Sequence, residues 1–158
     1  MSSKPSIPSD PSSSDAVLTV PASLDQLRFI TAFVANFART VGFSAEQVHR
    51  IELAVDEACS NIIMHAYNHQ PSGTIIVRVR ATPGDSIVIM LIDTGKTFDP
   101  DTVPAHNPEV ELATVKIGGL GIFLMRQTMD DVRFEFNVTG TQPGEPAKFN
   151  RLTMVKHL

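Results

Sequence analysis

Apolar side chains recur along this chain with two different periods, and the switches between them mark its elements. Leu24, Leu27, Ile30, Phe33, Val34 and Phe37 stand at the spacing of one helix face. Ser23-Leu24-Asp25-Gln26 before them has the form of a capping box, in which Ser23 accepts from the third backbone N–H and Gln26 reaches back. The predicted helix runs from there to about Val41, with Gly42 as the residue that ends it. Ser44-Ala45-Glu46-Gln47 is a second capping box, flanked by Phe43 and Val48 as a hydrophobic staple. The helix it starts carries Ile51, Val55, Ala58 and Ile62 on one side, and should reach about Tyr67 before Asn68, Pro71 and Gly73 end it.

Elsewhere the period falls to two. Residues 74–81 alternate and are rich in β-branched side chains, Pro83-Gly84-Asp85 makes a turn, and 86–93 form a strand more continuously apolar than the first. Residues 87–92 are apolar on both faces, which places them centrally in a sheet. Residues 16–20 read as a first strand, kept to a sheet edge by Pro21. From Asp99 to Ile117, Pro100, Pro104 and Pro108 interrupt any regular pattern, so a long loop is expected. It ends at Gly118-Gly119-Leu120-Gly121, before a helix over 122–129 and strands over 132–138 and 149–155. Helices do not alternate strictly with strands. The prediction is an α+β fold: a two-layer sandwich, with a mixed, mostly antiparallel sheet covered on one face by helices.

Length and composition narrow this without changing it. With 158 residues there is room for one domain, taken as 16–158, after a Ser/Pro-rich tail over 1–15 that reads as disordered. A net charge of −4 argues against direct, nonspecific nucleic-acid binding. No apolar run approaches the roughly 20 residues that span a bilayer, and the N-terminus lacks a signal-peptide core, so no membrane partner and a cytoplasmic location are expected. Cys59 is the sole cysteine and sits in an apolar helical pattern, as a buried inert thiol would. His65, His69 and His106 form no metal pattern, and Met125 and Met129 read as core.

Four features call for a joint explanation. Glu57 and Asn61 are four residues apart and share a helix face, where a carboxylate and a carboxamide can hold a hard cation and polarise a hydroxyl. Asp93-Thr94-Gly95 follows the central strand, with an acid able to accept from a ligand amine and a glycine that permits close approach. The long loop is a candidate lid. Gly118–Gly121 precedes a helix, where free N–H groups favour phosphate. It is neither a Walker A loop nor a dinucleotide fingerprint. Each alone has an ordinary structural explanation: a solvated helix face, a turn, a surface insertion, a glycine-rich connection.

Taken in this order, the four resemble the ATPase domain shared by DNA gyrase, heat-shock chaperones, histidine kinases and mismatch-repair proteins. The Glu57–Asn61 segment looks like its N box, Asp93-Thr94-Gly95 like its first glycine box and Gly118–Gly121 like its second. Phe98-Asp99 in place of a second glycine, the run Gly-Gly-Leu-Gly-Ile-Phe-Leu-Met and an Asp-Asp-Val strand entry are similar to the bacterial anti-sigma factor serine kinases. The resemblance covers nearly the whole chain from Ala16. It implies ATP and Mg²⁺ as cofactors, with Glu57 as general base and Asn61 as magnesium ligand. It implies that Asp93 accepts from the adenine amino group and Gly95 lies beside the base. Gly119, Leu120 and Gly121 would line the polyphosphate, and Thr153 would support the adenine end through water. Related kinases often carry arginine just before the second glycine box; here Lys116 and Ile117 stand there. Lys116 either supplies the positive charge, as a compact ammonium rather than a fork, or is a solvated loop lysine.

The same resemblance implies a homodimer with two protein partners. One is an anti-anti-sigma factor phosphorylated on serine; the other is a sigma factor held inactive. Two alternatives stand beside the kinase: an ATP-binding docking module without kinase activity, and a detached histidine-kinase ATPase domain, which the missing second glycine disfavours.

Overall fold

A computed structural model of the chain describes residues 13–68, 73–99 and 117–158. Its elements follow the predicted order. They are strand β1 (Ser14–Pro21), helices α1 (Leu27–Val41) and α2 (Ala45–Asn61), strands β2 (Thr74–Thr82) and β3 (Ser86–Asp93), helix α3 (Ile117–Thr128), and strands β4 (Asp131–Thr139) and β5 (Lys148–His157). The sheet order is β1-β2-β3-β5-β4. The expectation was a mixed, mostly antiparallel sheet, and among the described residues all four pairings are antiparallel. β3 lies in the middle, as its apolar character on both faces requires.

Alternation sets the two faces of the sheet. Ile75, Val77, Val79 and Ala81 of β2 and Ile87, Ile89 and Leu91 of β3 are buried in one cluster with Ile30, Val34, Ile51 and Val55 of the helices. α1 packs on β2 and β3 and against α2, and α2 packs in turn against α3. Cys59 belongs to this core, and burial pushes its thiol well above the ordinary cysteine range, consistent with an inert side chain. Met125 and Met129 are core residues too. β1 begins at Ser14, so the last residues of the expected tail are strand, and Asp15 pairs with Arg80 at 2.8 Å. The rest of that tail, 1–12, lies outside the described residues, as do 100–116 of the predicted loop.

The two capping boxes have different fates. Around Ser44 both bonds form: Gln47 N–H donates to Ser44 Oγ at 3.2 Å, and Ser44 N–H to Gln47 Oε1 at 2.9 Å. At Ser23 there is no side-chain cap. The Ser23 hydroxyl donates to Asp25 instead, and Leu24–Gln26 make a 3₁₀ turn before α1 begins at Leu27. The third backbone N–H, that of Gln26, donates to Ser23 O at 3.0 Å instead of to the side chain. Gly42 ends α1 in the left-handed region, φ 112°.

α2 does not end as an α-helix. Residues Ile62–Ala66 form a π turn, in which Tyr67 N–H donates to Ile62 O at 3.1 Å. π turns concentrate at functional sites, and this one begins at the residue after Asn61. Ser44→Ala should lower the unfolding free energy by about 1 kcal/mol, and Ser23→Ala by clearly less; equal losses in urea denaturation would contradict this description of the two helix starts.

Candidate active site

The buried polar residues gather at one end of the sheet. Asp93, the last residue of β3, is 5% exposed and faces the helices. Asn150 is its register partner on β5 and is 6% exposed. Asn150 Nδ2 donates to Asp93 Oδ1 at 2.9 Å and to Gly95 O at 3.0 Å, while Gly95 N–H also donates to Asp93 Oδ1 at 2.9 Å. Asn137 N–H in turn donates to Asn150 Oδ1 at 3.3 Å, from a β-bulge where Asn137 takes φ 52°. Among the described residues, both hydrogen bonds to the Asp93 carboxylate land on Oδ1. Burial raises the Asp93 pKa; the bonds from Asn150 and Gly95 oppose that shift without cancelling it.

A cleft of about 320 Å³ opens beside this carboxylate. Its walls come from α2 (Ala58, Asn61, Ile62), α3 (Met125), β4 (Phe134, Phe136) and β5 (Asn150, Leu152), with Phe98 from the segment after β3. Phe134 and Phe136 are stacked with centroids 6.2 Å apart, and Phe98 meets both edge-on at 6.4 and 5.9 Å. His65 lies 5.7 Å from the Phe98 ring. Glu135 and Arg151 also line the cleft, but they pair with each other at 3.0 Å, so the buried carboxylate of Asp93 beside apolar and aromatic walls suits a heteroaromatic base bearing an amino group.

The other end of the site is built by α2 and α3. A Cβ placed on Gly121 would stand 2.7 Å from Glu57 Oε2, 3.1 Å from Glu57 Cβ and 3.3 Å from Asn61 Nδ2. A side chain at 121 would therefore displace the Glu57 carboxylate and crowd Asn61. Asn61 is 2% exposed, and neither Oδ1 nor Nδ2 has a hydrogen-bond partner among the described residues. A buried amide left this way costs about 1–3 kcal/mol, an expense expected where a ligand completes the bonding. Glu57, half-buried, has its pKa raised by desolvation first and by the Asp56 charge second. Among the described residues no three His, Cys, Asp or Glu side chains converge on a possible metal position. The donors present therefore fit a magnesium ion held by one protein oxygen, Asn61 Oδ1, together with phosphate oxygens.

The structure thus brings Asn61 and Asp93 to one cleft and sets Glu57 and Gly121 beside Asn61. Gly95 joins them, but its glycine requirement comes from the protein: a Cβ there would lie 2.6 Å from Ala66 O. The run 118–121 lies within α3 instead of preceding it, so Gly118, Gly119 and Leu120 belong to the first turn, whose N–H groups have no intrahelical partner. Lys116 lies outside the described residues. Thr153 is not brought to the site. It pairs with Met90 and sits three residues from Asn150, on the opposite face of β5 from Asn150 and Leu152. The residue at the base end is Asn150, which periodicity alone did not single out; the signal is its register opposite Asp93.

Fold and site define a nucleotide-binding ATPase domain, and the comparisons agree: residues 20–143 match the histidine kinase-like ATPase domain family. The chain belongs to that family, and within it to the group of the serine-protein kinases RsbW. It is 35% identical to serine-protein kinase RsbW of Oceanobacillus iheyensis over 121 residues, covering 73% of this chain and 75% of that one. With serine-protein kinase RsbW of Bacillus subtilis it shares 28% identity over 122 residues, covering 75% and 76%.

Two outcomes follow from the geometry. Asp93→Asn should weaken ATP binding about 10–100-fold, the value of a hydrogen bond to a charged group. Because the raised pKa means that ionised Asp93 burdens the folded state at neutral pH, the same variant should melt no lower than the parent. Unchanged affinity by calorimetry would remove Asp93 from the base site. Gly121→Ala should fold yet lose most ATP affinity, and normal binding would show that the contact of α3 with Glu57 and Asn61 is not part of the site.

Proposed function

We propose that this chain is an ATP-dependent serine protein kinase that phosphorylates a small anti-anti-sigma protein and, as a homodimer, holds a sigma factor inactive in the cytoplasm. The observation that carries the catalytic reading is the pair on α2: a buried Asn61 carboxamide, without a hydrogen-bond partner among the described residues, one turn from a half-buried Glu57. In this reading the acceptor serine oxygen bonds to the γ-phosphorus of ATP, the bond to the β–γ bridging oxygen breaks, and ADP leaves with that electron pair. Glu57 receives the proton of the serine hydroxyl. Its raised pKa, caused by desolvation first and the Asp56 charge second, makes it a stronger base than an exposed glutamate. Magnesium, held through Asn61 Oδ1, supplies neutralisation of phosphate charge. In this reading the first-turn N–H groups of α3, which have no intrahelical acceptor, would take phosphate oxygens. Asp93 selects adenine through its amino group.

The partner assignment rests on the resemblance of the Phe98-Asp99 and glycine-run segments to anti-sigma kinases, and on the RsbW relatives. Dimerisation rests on the same likeness.

Transfer from γ-labelled ATP to candidate antagonist proteins tests this directly. Stable phosphoserine is expected, reduced about 100-fold or more in Glu57→Gln with ATP affinity retained. The base works deprotonated, so the rate should fall as pH drops through an apparent pKa above the ordinary glutamate range. ATP binding with no transfer to any antagonist would favour a docking module instead, and absence of ATP·Mg²⁺ binding would overturn the reading altogether.

A further inference from the structure

The segment that carries Asp93 is strapped to the end of the helix that carries Glu57 and Asn61, and one side chain makes most of the strap. Tyr67 caps the π turn that follows Asn61. Its hydroxyl donates to Thr74 O at 2.8 Å and accepts from Thr94 N–H at 2.8 Å, with Thr94 Oγ1 at 3.3 Å. A phenol has one proton and two lone pairs, so with Thr94 Oγ1 donating, the hydroxyl is fully used. The ring lies so close to Gly73 that a Cβ there would stand 2.4 Å from it. The Thr94 N–H it holds belongs to the peptide that leaves Asp93. Lys96 N–H completes the strap by donating to Ala66 O at 2.7 Å. The π turn inserts one residue into the helix end, which swings Tyr67 and the Ala66 carbonyl to where they meet this segment.

We propose that Tyr67 is a positioning residue for adenine selection: by fixing the Asp93–Thr94 peptide it aims the Asp93 carboxylate at the amino group of the base. This rests on the reading of the cleft as an ATP site. Tyr67 does not line the cleft, so its effect on the ligand passes through Asp93. The ligand group concerned is one exocyclic amine, and that makes the role separable from a merely structural one.

The test compares binding of ATP and of purine riboside triphosphate, which lacks the 6-amino group, in the parent protein and in Tyr67→Phe. The variant keeps the ring against Gly73 and removes only the hydroxyl. The parent should prefer ATP by about tenfold, one hydrogen bond's worth, and Tyr67→Phe should shrink that ratio towards one while purine riboside triphosphate binds nearly as before. Thr94→Val, which removes a single arm of the network, should shift the ratio the same way by less. An unchanged ratio in Tyr67→Phe, whatever happens to its melting temperature, would overturn the proposal and leave the ATP site standing. A parent protein that binds ATP with no preference would overturn the assignment of Asp93, and this proposal with it.

Discussion

An ionisable group held out of water at the end of the central strand sets the terms for the rest of this molecule. Asp93 is buried, and its charge is opposed by desolvation that its hydrogen bonds only partly offset. A carboxylate in that position is tolerated because three separate parts of the chain converge on it. β5 brings Asn150, the turn after β3 brings the Gly95 N–H, and the end of α2 holds that turn through Tyr67 and Ala66. The sheet register, the π turn and the bulge at Asn137 all lead to the same carboxylate. Buried polar groups that are only half satisfied are where folds depart from plain packing, and functional sites are the usual reason.

The second polar burden lies on α2. Asn61 is buried without hydrogen-bond partners among the described residues, beside a glutamate whose charged form is disfavoured. Gly121 leaves room for both, because a Cβ there would press on Glu57 and Asn61. Ala58 and Asn61 of this helix line the apolar cleft, and Glu57 stands one turn from Asn61. Apolar packing supplies the stability: α2 buries Ile51, Ala54, Val55, Ala58 and Cys59 on the side that faces the core. The helix is a core element along one stripe and a reactive surface along another.

Much of this could be read from the sequence, for identifiable reasons. Period-two alternation and the Pro83-Gly84-Asp85 turn located β2 and β3 to within a residue. The capping box at Ser44 was legible because its two partners are local. The box at Ser23 had the same end residues, but there a 3₁₀ turn gives the Gln26 N–H to the Ser23 carbonyl, an alternative the motif does not encode. Glu57 and Asn61 were legible because their spacing on a helix fixes a shared face. Asn150 was not, because its importance depends on lying opposite Asp93 across two strands far apart in the chain. Thr153 shares the strand but points away, and a shift of three residues changes the face. The π turn and the Tyr67 strap were equally hidden, since they show no periodicity and join segments that meet only in three dimensions.

The central claim is that one cleft binds ATP·Mg²⁺ with the base at Asp93 and the metal at Asn61. A crystal structure with a non-hydrolysable ATP analogue and Mn²⁺ in place of Mg²⁺ tests it most directly, because the anomalous signal locates the metal independently of the nucleotide. The account predicts manganese on Asn61 Oδ1, phosphates at the start of α3, and the adenine amino group on Asp93 Oδ2 within the slot formed by Phe134 and Leu152. A base lying outside that slot, or a metal held by residues other than Asn61, would contradict it.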